Sequence, residues 1–324
     1  MSKYKKILVT GSSAVLGSAL KKISSRYKAR KFFFLTSEDC DLTDFKSTFN
    51  TFKKIKPDSI IHLAAVSGGI GLLANHHASI MRDISRMTFN ILESARLLKV
   101  SKTIMTLTTG MYPPEAKMPY DEKDIHNGYP SESTYGSSFA KRLVDPAIRA
   151  YREEYDLNVI GLIPSGIFGE NDNFHQQHAP MLPALIRRFY ENKDNDSDLI
   201  VWGDGSPLRE YTYSEDLARI FMWALDKYND EQCLNIGTVE ENSIKEIAYM
   251  VSSNMGIDKK RIKFDTNKPK GVFKKSTMNK RFKKLSAFKY TLFEEGLKKT
   301  IHWFSQEYNK DKSSIRTYSK KSKK

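Results

Sequence analysis

The chain has 324 residues, 40% of them hydrophobic and 28% charged, which is typical of a globular protein large enough for one large α/β domain or two lobes. Its longest apolar runs, such as residues 60–66, are far too short to cross a bilayer, so we expect no transmembrane span. Residues 1–10 lead directly into a strand pattern, which predicts no signal peptide. The two cysteines, Cys40 and Cys233, lie far apart without metal-ligand spacing, which favours a reducing, cytoplasmic location over a disulfide framework.

The formal net charge of +15 raises the question of a nucleic-acid partner. Residues 268–284 contain eight basic and no acidic residues, and residues 311–324 contain six basic residues and one acidic residue. Because the chain has no nucleic-acid-binding motif and carries 38 acidic residues, we interpret the surplus as a lysine-rich solvated surface and disfavour a nucleic-acid partner. The composition of residues 310–324 predicts a basic, disordered tail.

Short apolar runs alternate with amphipathic segments through the first half of the chain. The predicted strands cover residues 5–10, 31–37, 58–65, 103–109 and 158–165. The predicted helices begin near residue 14, span residues 44–54 and 75–98, and run from the segment 133–142 to about residue 155. This alternation predicts parallel βαβ units in a doubly wound, Rossmann-type α/β sheet.

From residue 175 onward the pattern becomes mixed, with one short apolar strand at 199–203 and helices at about 183–190 and 214–227. We therefore predict a dinucleotide-binding domain over residues 1–174 and a smaller, interleaved C-terminal substrate lobe over residues 175–309. Part of residues 212–245 is predicted to return to the first domain.

A glycine-containing turn follows the first predicted strand and opens the first helix, which is the setting of a dinucleotide-binding fingerprint. Gly11 would form the turn, and Gly17 would let the helix pack on the strand with its N-terminus facing a pyrophosphate. The middle position, normally glycine, is Ala14, whose methyl group crowds the closest backbone approach to the phosphates.

The end of the second predicted strand normally selects between the two nicotinamide dinucleotides. Glu38 stands where a 2′-phosphate would need a lysine or arginine, so it favours a ribose hydroxyl, unless it is simply a solvated loop carboxylate. Asp41 and Leu42 follow and are expected to border the adenine.

Seven stretches taken together resemble one family. They are VTGSSAVLG, CDLTD, IIHLAAVSGG, MYPPEAKMPYDEKDIHNG, FAKR, GENDNFHQQHAPMLPALIRRF and VWGDGSPLREYTYSEDLA. Over about residues 7–308 the chain resembles the GDP-L-fucose synthases, which are extended short-chain dehydrogenase/reductases. The resemblance implies epimerisation of GDP-4-keto-6-deoxymannose at C3 and C5, followed by reduction at C4 with NADPH.

The resemblance implies that the binding residues of this family are kept. The nucleotide-sugar positions are Arg188, Trp202, Arg209 and Lys275, and the cofactor contacts beyond the turn are Ala64 and Lys141. Arginine and lysine neutralise a diphosphate, and an indole offers a flat apolar face to a base or sugar. The alternative is that Trp202 belongs to the core and that the cations are ordinary surface charges.

The family's catalytic positions, in contrast, are changed. The resemblance aligns Ser137 with a proton-donating tyrosine, Gly110 with a cysteine and Pro180 with a histidine. Thr108 keeps the hydroxyl of an active-site serine, and Lys141 keeps the lysine four residues after the missing tyrosine.

Other residues near these positions do not obviously replace the missing groups. Tyr135 precedes Ser137 by two residues, which turns it roughly 200° around the predicted helix, to the opposite face. His175 and His178 precede Pro180, and a shift of their loop would be needed to present either of them.

We therefore predict a GDP-sugar-binding protein whose family activity is lost or severely impaired. The family's NADP(H) is expected as cofactor, with binding weakened, lost or shifted to NAD(H). One alternative is an active GDP-L-fucose synthase, or a divergent nucleotide-sugar epimerase or reductase, with relocated acid and base groups. Another is a non-catalytic interaction protein acting through its basic tail.

The resemblance also implies a dimer, either a homodimer or a heterodimer with an active homologue. The contact would use the helices at residues 86–100 and 142–155. Met87, Ile91 and Leu92 recur at helical spacing in the first of these, although they would serve equally as core residues.

Overall fold

The computed structural model describes residues 3–66, 68–268 and 273–318. In this part of the chain the strands are β1 (Lys6–Thr10), β2 (Lys31–Leu35), β3 (Ser59–His62), β4 (Lys102–Thr106), β5 (Val159–Ile163), β6 (Gly166–Phe168), β7 (Leu199–Trp202), β8 (Leu208–Tyr213), β9 (Leu234–Asn235), β10 (Glu241–Ser243), β11 (Ile262–Asp265) and β12 (Lys274–Lys275). The α-helices are α1 (Val15–Ser24), α2 (Phe45–Ile55), α3 (Ile70–Ala74), α4 (His77–Leu97), α5 (Tyr135–Arg142), α6 (Val144–Tyr155), α7 (Met181–Glu191), α8 (Ser214–Lys227), α9 (Ile244–Asn254), α10 (Lys280–Leu285) and α11 (Phe293–Lys310). Lys270 and residues 319–324, which belong to the two basic segments, lie outside the described residues.

A six-stranded sheet forms the centre of the first domain, in the order β2–β1–β3–β4–β5–β9. All neighbouring strands in it are parallel. The chain starts in the middle of the sheet, moves to one edge and then crosses back to build the other, which is the doubly wound order. The predicted Rossmann-type α/β class is confirmed.

Helices cover both faces of this sheet. One apolar cluster joins the sheet to α2, α4 and α6 and includes Phe52, Ile91 and Ile148. The other joins it to α1 and α8 and includes Leu20 and Phe221. Because both faces of the central strands are buried, those strands appear in the sequence as continuous apolar runs rather than as alternating patterns.

The C-terminal lobe is built around β8, which pairs with β6, β10 and β12, while β7 pairs separately with β11. Helices α7, α9 and α11 enclose a third apolar cluster that includes Leu185, Ile247 and Phe304. The strand and helices predicted after residue 175 are present as β7, α7 and α8. Strands β8, β10 and β12 are short and largely polar, so they do not appear in the sequence as apolar runs.

Two elements of residues 212–245, helix α8 and strand β9, lie with the first domain. Helix α8 packs against α1 in the second apolar cluster, and β9 extends the central sheet beside β5. The boundaries at residues 174 and 309 stay a prediction.

The predicted helix over residues 133–155 is interrupted. It forms as α5 and α6, with Leu143 between them. Pro146 lies in the first turn of α6 and has no N–H to donate to the preceding turn, which accounts for the break.

The apolar residues of α4 belong to the core. Met87 is 7% exposed, and Ile91 and Leu92 are fully buried against the sheet. Of the two readings that the sequence left open for them, core and dimer face, the structure shows the first.

The predicted disorder of residues 310–324 is wrong for residues 310–318. Lys310 ends α11, and a short 3-10 turn follows at Lys312–Ser314, in which the Asp311 carboxylate accepts from the Ser313 amide. Ile315 is only 3% exposed and joins the third apolar cluster. A single buried side chain and its backbone contacts order a segment whose composition is that of a solvated tail.

None of the described helices is long and apolar enough to cross a membrane. Cys40 and Cys233 are both free and buried. The described residues contain no group of three or more histidine, cysteine, aspartate and glutamate side chains that could hold a metal ion.

Lys102→Met is expected to lower the free energy of unfolding by about 3 kcal/mol. Lys102 is fully buried in β4, and its ammonium donates to the carbonyl oxygens of Ala224 and Tyr228 and to Oδ1 of Asn229. Methionine would fill a similar volume but remove the charged donor from all three acceptors. The Ala224 carbonyl would keep only the Tyr228 amide and Asn229 Oδ1 only the Asn158 side chain, and the Tyr228 carbonyl would lose its donor. Urea unfolding followed by circular dichroism measures the loss.

The matched control is Lys46→Met on the exposed side of α2, for which we expect a change below about 0.5 kcal/mol. Similar small losses in both variants would contradict the anchoring role of Lys102.

Candidate active site

The turn between β1 and α1 has the close packing that a dinucleotide site requires. Gly11 has a φ of +71°, and a Cβ placed on it would lie 2.7 Å from the amide nitrogen of Ala64. A Cβ on Gly17 would lie 2.4 Å from the Gly11 carbonyl oxygen. Ala14 is the N-cap of α1 and makes no side-chain capping hydrogen bond, so the helix start can face an anion. The structure thus brings the predicted Gly11, Ala14, Gly17 and Ala64 together.

Carboxylates surround the end of β2. The Asp39 carboxylate accepts from the backbone amide and the hydroxyl of Thr36, and these hydrogen bonds hold its pKa below the usual value. Asp41 accepts from the amide and hydroxyl of Thr43, while Glu38 is exposed and Leu42 is buried. The predicted adenine border is therefore a negatively charged loop.

Lys141 lies at the C-terminal edge of the sheet, where α5 crosses β4. Its ammonium is buried and donates to the Thr106 carbonyl oxygen at 2.6 Å, and burial lowers its pKa to about 8. His62, at the end of β3, shares a 2.8 Å hydrogen bond between Nδ1 and the Thr10 hydroxyl. Burial, and secondarily the charge of Lys141, lower the pKa of His62 to about 3, so this histidine is neutral at physiological pH.

Ser137 uses its hydroxyl within its own helix. Its Oγ donates to the Thr134 carbonyl oxygen at 3.0 Å. Tyr135 stacks on His77, with ring centroids 4.0 Å apart, and is 38% exposed. Ser137, rather than a tyrosine, thus occupies the position four residues before Lys141.

A cluster of hydroxyl groups surrounds Gly110. A Cβ placed on Gly110 would lie 3.4 Å from Ser138 Oγ and 3.7 Å from Thr108 Oγ1. Ser138 is buried, and its Oγ lies 3.1 Å from the Thr134 hydroxyl. These hydroxyls can bind a sugar oxygen, but none of them titrates near neutral pH.

Sequence reasoning missed two residues of this region, Ser138 and His62. Ser138 precedes Lys141 by three residues, so helical spacing alone puts it on the same face. His62 is a polar residue that ends an otherwise apolar strand. Because a parallel strand's carboxyl end lies at the ligand-binding edge of such a sheet, that position carried a signal.

The loop before α7 holds two histidines but none at its end. Pro180 is the N-cap of α7. His175 Nδ1 accepts from the amides of Gln177 and His178, and the rings of His175 and His178 stack at 4.6 Å. Burial, followed by the neighbouring His178 and Arg187, lowers the pKa of His175. His178 Nδ1 is buried and has no hydrogen-bond partner in the described part of the chain.

The predicted nucleotide-sugar residues lie on neighbouring elements of the C-terminal lobe. Arg188 on α7 donates to the Ile200 carbonyl oxygen, and Trp202 at the end of β7 is 58% exposed. Arg209 on β8 is paired in register with Lys275 on β12. The exposure of Trp202 argues against the alternative that it is a core residue.

Arg209 and Lys275 form a cationic pair without a counterion in the described residues. Burial lowers the pKa of both groups, and the charge of Arg209 lowers that of Lys275 further. The neighbouring Lys274 instead forms a 2.8 Å ion pair with Glu241. Two half-buried cations that face each other without a carboxylate are the arrangement that an anionic ligand would stabilise.

Comparison with known proteins gives the family of this chain. Residues 7–237 match the family described as the NAD dependent epimerase/dehydratase family. The chain belongs to this family. Within it, the GDP-L-fucose synthase of Dictyostelium discoideum is 35% identical over 307 residues, covering 93% of this chain and 96% of the relative.

A second relative and a solved structure agree with this assignment. The probable GDP-L-fucose synthase of Drosophila melanogaster is 32% identical over 317 residues, covering 94% of this chain and 98% of the relative. A GDP-L-fucose synthetase from Naegleria fowleri bound to NADP has a TM-score of 0.89 at 32% identity, covering 95% of this chain and 96% of that one. The resemblance to GDP-L-fucose synthases predicted from the sequence is confirmed.

Proposed function

We propose that this epimerase/dehydratase-family chain binds a GDP-sugar but has lost, or nearly lost, the epimerisation and reduction chemistry of GDP-L-fucose synthases. The observation that carries the proposal is the joint replacement of three titratable positions by Ser137, Gly110 and Pro180. The cationic pair Arg209 and Lys275, together with the exposed indole of Trp202, supports the binding half of the proposal.

The reductive half of the reaction lacks its acid. A bound nicotinamide dinucleotide would supply hydride to C4 of the sugar. The oxygen at C4 then requires a proton, and the hydroxyl of Ser137 is a far poorer acid than a phenol at neutral pH. Loss of a general acid costs about 10² to 10⁴ in rate. Lys141 can still hold a ribose hydroxyl but has no phenol to activate.

The epimerising half lacks both of its groups. Inversion at a sugar carbon needs one group to remove a proton and another to return one. Gly110 has no side chain, and Pro180 cannot titrate. Thr108 and Ser138 can orient the C4 oxygen, but that alone does not move a proton at C3 or C5.

The residues present fit a dinucleotide in part. The close packing at Gly11 and Gly17 and the position of Lys141 at the C-terminal edge of the sheet support contacts with a pyrophosphate and a ribose. Ala14 crowds the phosphates, and Glu38 with Asp39 disfavours a 2′-phosphate. We propose that NADP(H) binding is weakened, lost or shifted to NAD(H) relative to the NADP-bound relative.

Thermal stabilisation by separate ligands tests both halves of this proposal. We expect GDP and GDP-mannose to raise the melting temperature, because a ligand that binds only the folded state stabilises it by mass action. NADPH should give little or no shift, and any dinucleotide effect should be larger with NADH. A large shift with NADPH and none with the GDP compounds would contradict the proposal.

A second candidate is a working enzyme with relocated groups. The buried Ser138 hydroxyl beside Gly110 and the unpartnered Nδ1 of His178 favour it. Single-turnover reaction of a GDP-4-keto sugar with NADPH or NADH separates the candidates. Dinucleotide oxidation that Lys141→Ala abolishes would establish the second candidate.

We further propose a cytoplasmic protein that forms a homodimer or pairs with an active homologue. The two free, buried cysteines support the first point. The exposed Phe89 on α4 and Tyr155 at the end of α6, rather than the buried Met87 and Ile91, support the second.

A further inference from the structure

The C-terminal end of the described chain folds back onto the loop of residues 172–180, here called the histidine loop. After α11 ends, Ile315 enters the third apolar cluster and anchors the segment. Residues 315–318 then run alongside Asn173 and Phe174. The segment therefore contacts the same loop that carries His175, His178 and Pro180.

Three hydrogen bonds join the C-terminal segment to the histidine loop. The Phe174 amide donates to the Arg316 carbonyl oxygen at 2.9 Å. The Asn173 side chain donates to the Tyr318 carbonyl oxygen at 3.0 Å and accepts from the Tyr318 amide at 2.8 Å. The Asn173 amide group thus binds the backbone of the C-terminal segment as a neighbouring strand would.

Asn173 also forms hydrogen bonds with other residues of the histidine loop. Its Oδ1 accepts from the His175 amide at 3.1 Å, and its Nδ2 donates to the His178 carbonyl oxygen at 3.4 Å. The His178 carbonyl in turn accepts from the Gly69 amide at 2.8 Å. Gly69 follows β3, at the edge of the sheet where ligands bind in this architecture. A continuous series of hydrogen bonds therefore connects Tyr318 with the first domain.

A buried carboxyl group of the histidine loop also lies near the C-terminal segment. The Asp172 carboxyl is buried, and its Oδ2 has no hydrogen-bond partner among the described residues. Burial raises the pKa of Asp172 to about 7, while the hydrogen bond from the Asn173 amide and, after it, the positive charge of Arg316 oppose that rise.

We propose that residues 315–318 are a strap that holds the histidine loop against Gly69, so that exchange of the nucleotide sugar requires release of the loop. The ligand in this statement rests on the proposed function, whereas the strap rests on the contacts alone. Loops that cover a site commonly set the rate of ligand exchange. Here the C-terminal segment sets how often the loop opens.

Hydrogen exchange of the free, full-length protein tests the strap without any ligand. Asn173→Ala removes the side chain shared by the strap and the loop, and Ile315→Ala independently removes the anchor. Because each lost hydrogen bond changes an opening equilibrium several-fold, we expect exchange at Gly69 and at residues 174–179 to accelerate on the order of 10-fold in both variants. The control is Asn309→Ala, which removes a 2.8 Å bond to the Tyr190 hydroxyl elsewhere in the lobe.

Unchanged exchange at Gly69 in both Asn173→Ala and Ile315→Ala would overturn the strap. Acceleration throughout the C-terminal lobe, equal to that in Asn309→Ala, would also overturn it, since the segment would then only stabilise the lobe. Use of two variants keeps the test decisive if one of them fails to fold.

Ligand exchange tests the functional consequence. With N-methylanthraniloyl-GDP as the probe, stopped-flow fluorescence should show faster association and faster dissociation in Asn173→Ala and Ile315→Ala than in Asn309→Ala. Equal rates in all three would overturn the gating role. Absence of probe binding in every protein would instead contradict the proposed GDP-sugar site, while the hydrogen-exchange result would still decide the strap.

Discussion

Ser137→Tyr is expected to raise the rate at which the chain reduces the C4 carbonyl of a GDP-4-keto-6-deoxy sugar by about 10² to 10⁴-fold. Side chains four residues apart on a helix share a face, so a phenol at position 137 would face Lys141. The lysine ammonium would lower the phenol's pKa and allow it to protonate the developing alkoxide at C4. Single-turnover oxidation of NADPH and of NADH, each followed by absorbance, measures the gain.

Ser137→Phe is the matched control for this gain, because it adds the same ring without the hydroxyl. We expect it to remain at the wild-type rate. Adding Lys141→Met to Ser137→Tyr should remove the gain again. A Ser137→Tyr protein that binds GDP yet reduces no faster than Ser137→Phe would show that the missing acid is not what limits reduction.

Lys275→Met is expected to weaken GDP binding by about 10- to 100-fold, the value of a charge-assisted hydrogen bond to a phosphate. The same change should raise the free energy of unfolding of the free protein by roughly 0.5 to 1 kcal/mol. The physical reason is that Lys275 faces Arg209 across two paired strands, and each charge is unfavourable to the other until an anion binds. Calorimetric titration with GDP and urea unfolding measure the two effects.

Lys274→Met provides the comparison, since it removes the same charge from the adjacent residue of the same strand. Lys274 is paired with Glu241, so its loss should leave GDP affinity nearly unchanged and should not stabilise the free protein. Equal loss of GDP affinity in the two variants would point to a general effect of net charge and contradict a specific diphosphate contact at Lys275.

The sequence predicted those parts of the site that depend on local order. Gly11, Ala14 and Gly17 lie within one turn between a strand and a helix, so their arrangement follows from chain neighbours alone. Ser137 and Lys141 likewise lie on one helix, so their relative placement also follows from chain neighbours alone.

Residues that meet through long-range pairing could not be placed in the same way. The register of Lys275 with Arg209 joins short, polar strands that no apolar periodicity reveals. Ser138 gained its significance only when Gly110, from a different element, was found beside it. The helix is interrupted at Leu143 because Pro146 follows it. The proline is visible in the sequence, but the helical pattern around it predicted a continuous helix.

By itself the sequence determined the Rossmann-type α/β class, because strands buried on both faces are continuously apolar and alternate with amphipathic helices. It also determined that positions 137, 110 and 180 carry Ser137, Gly110 and Pro180, since the identity of a side chain needs no structure to be recognised. Only the tertiary structure decided what the C-terminal segment does. Its composition is that of a solvated tail, but burial of Ile315 and the bonds of Asn173 fasten residues 315–318 to the histidine loop. Those contacts join residues far apart in the chain, and their free energy depends on a surface that exists only after the lobe has folded.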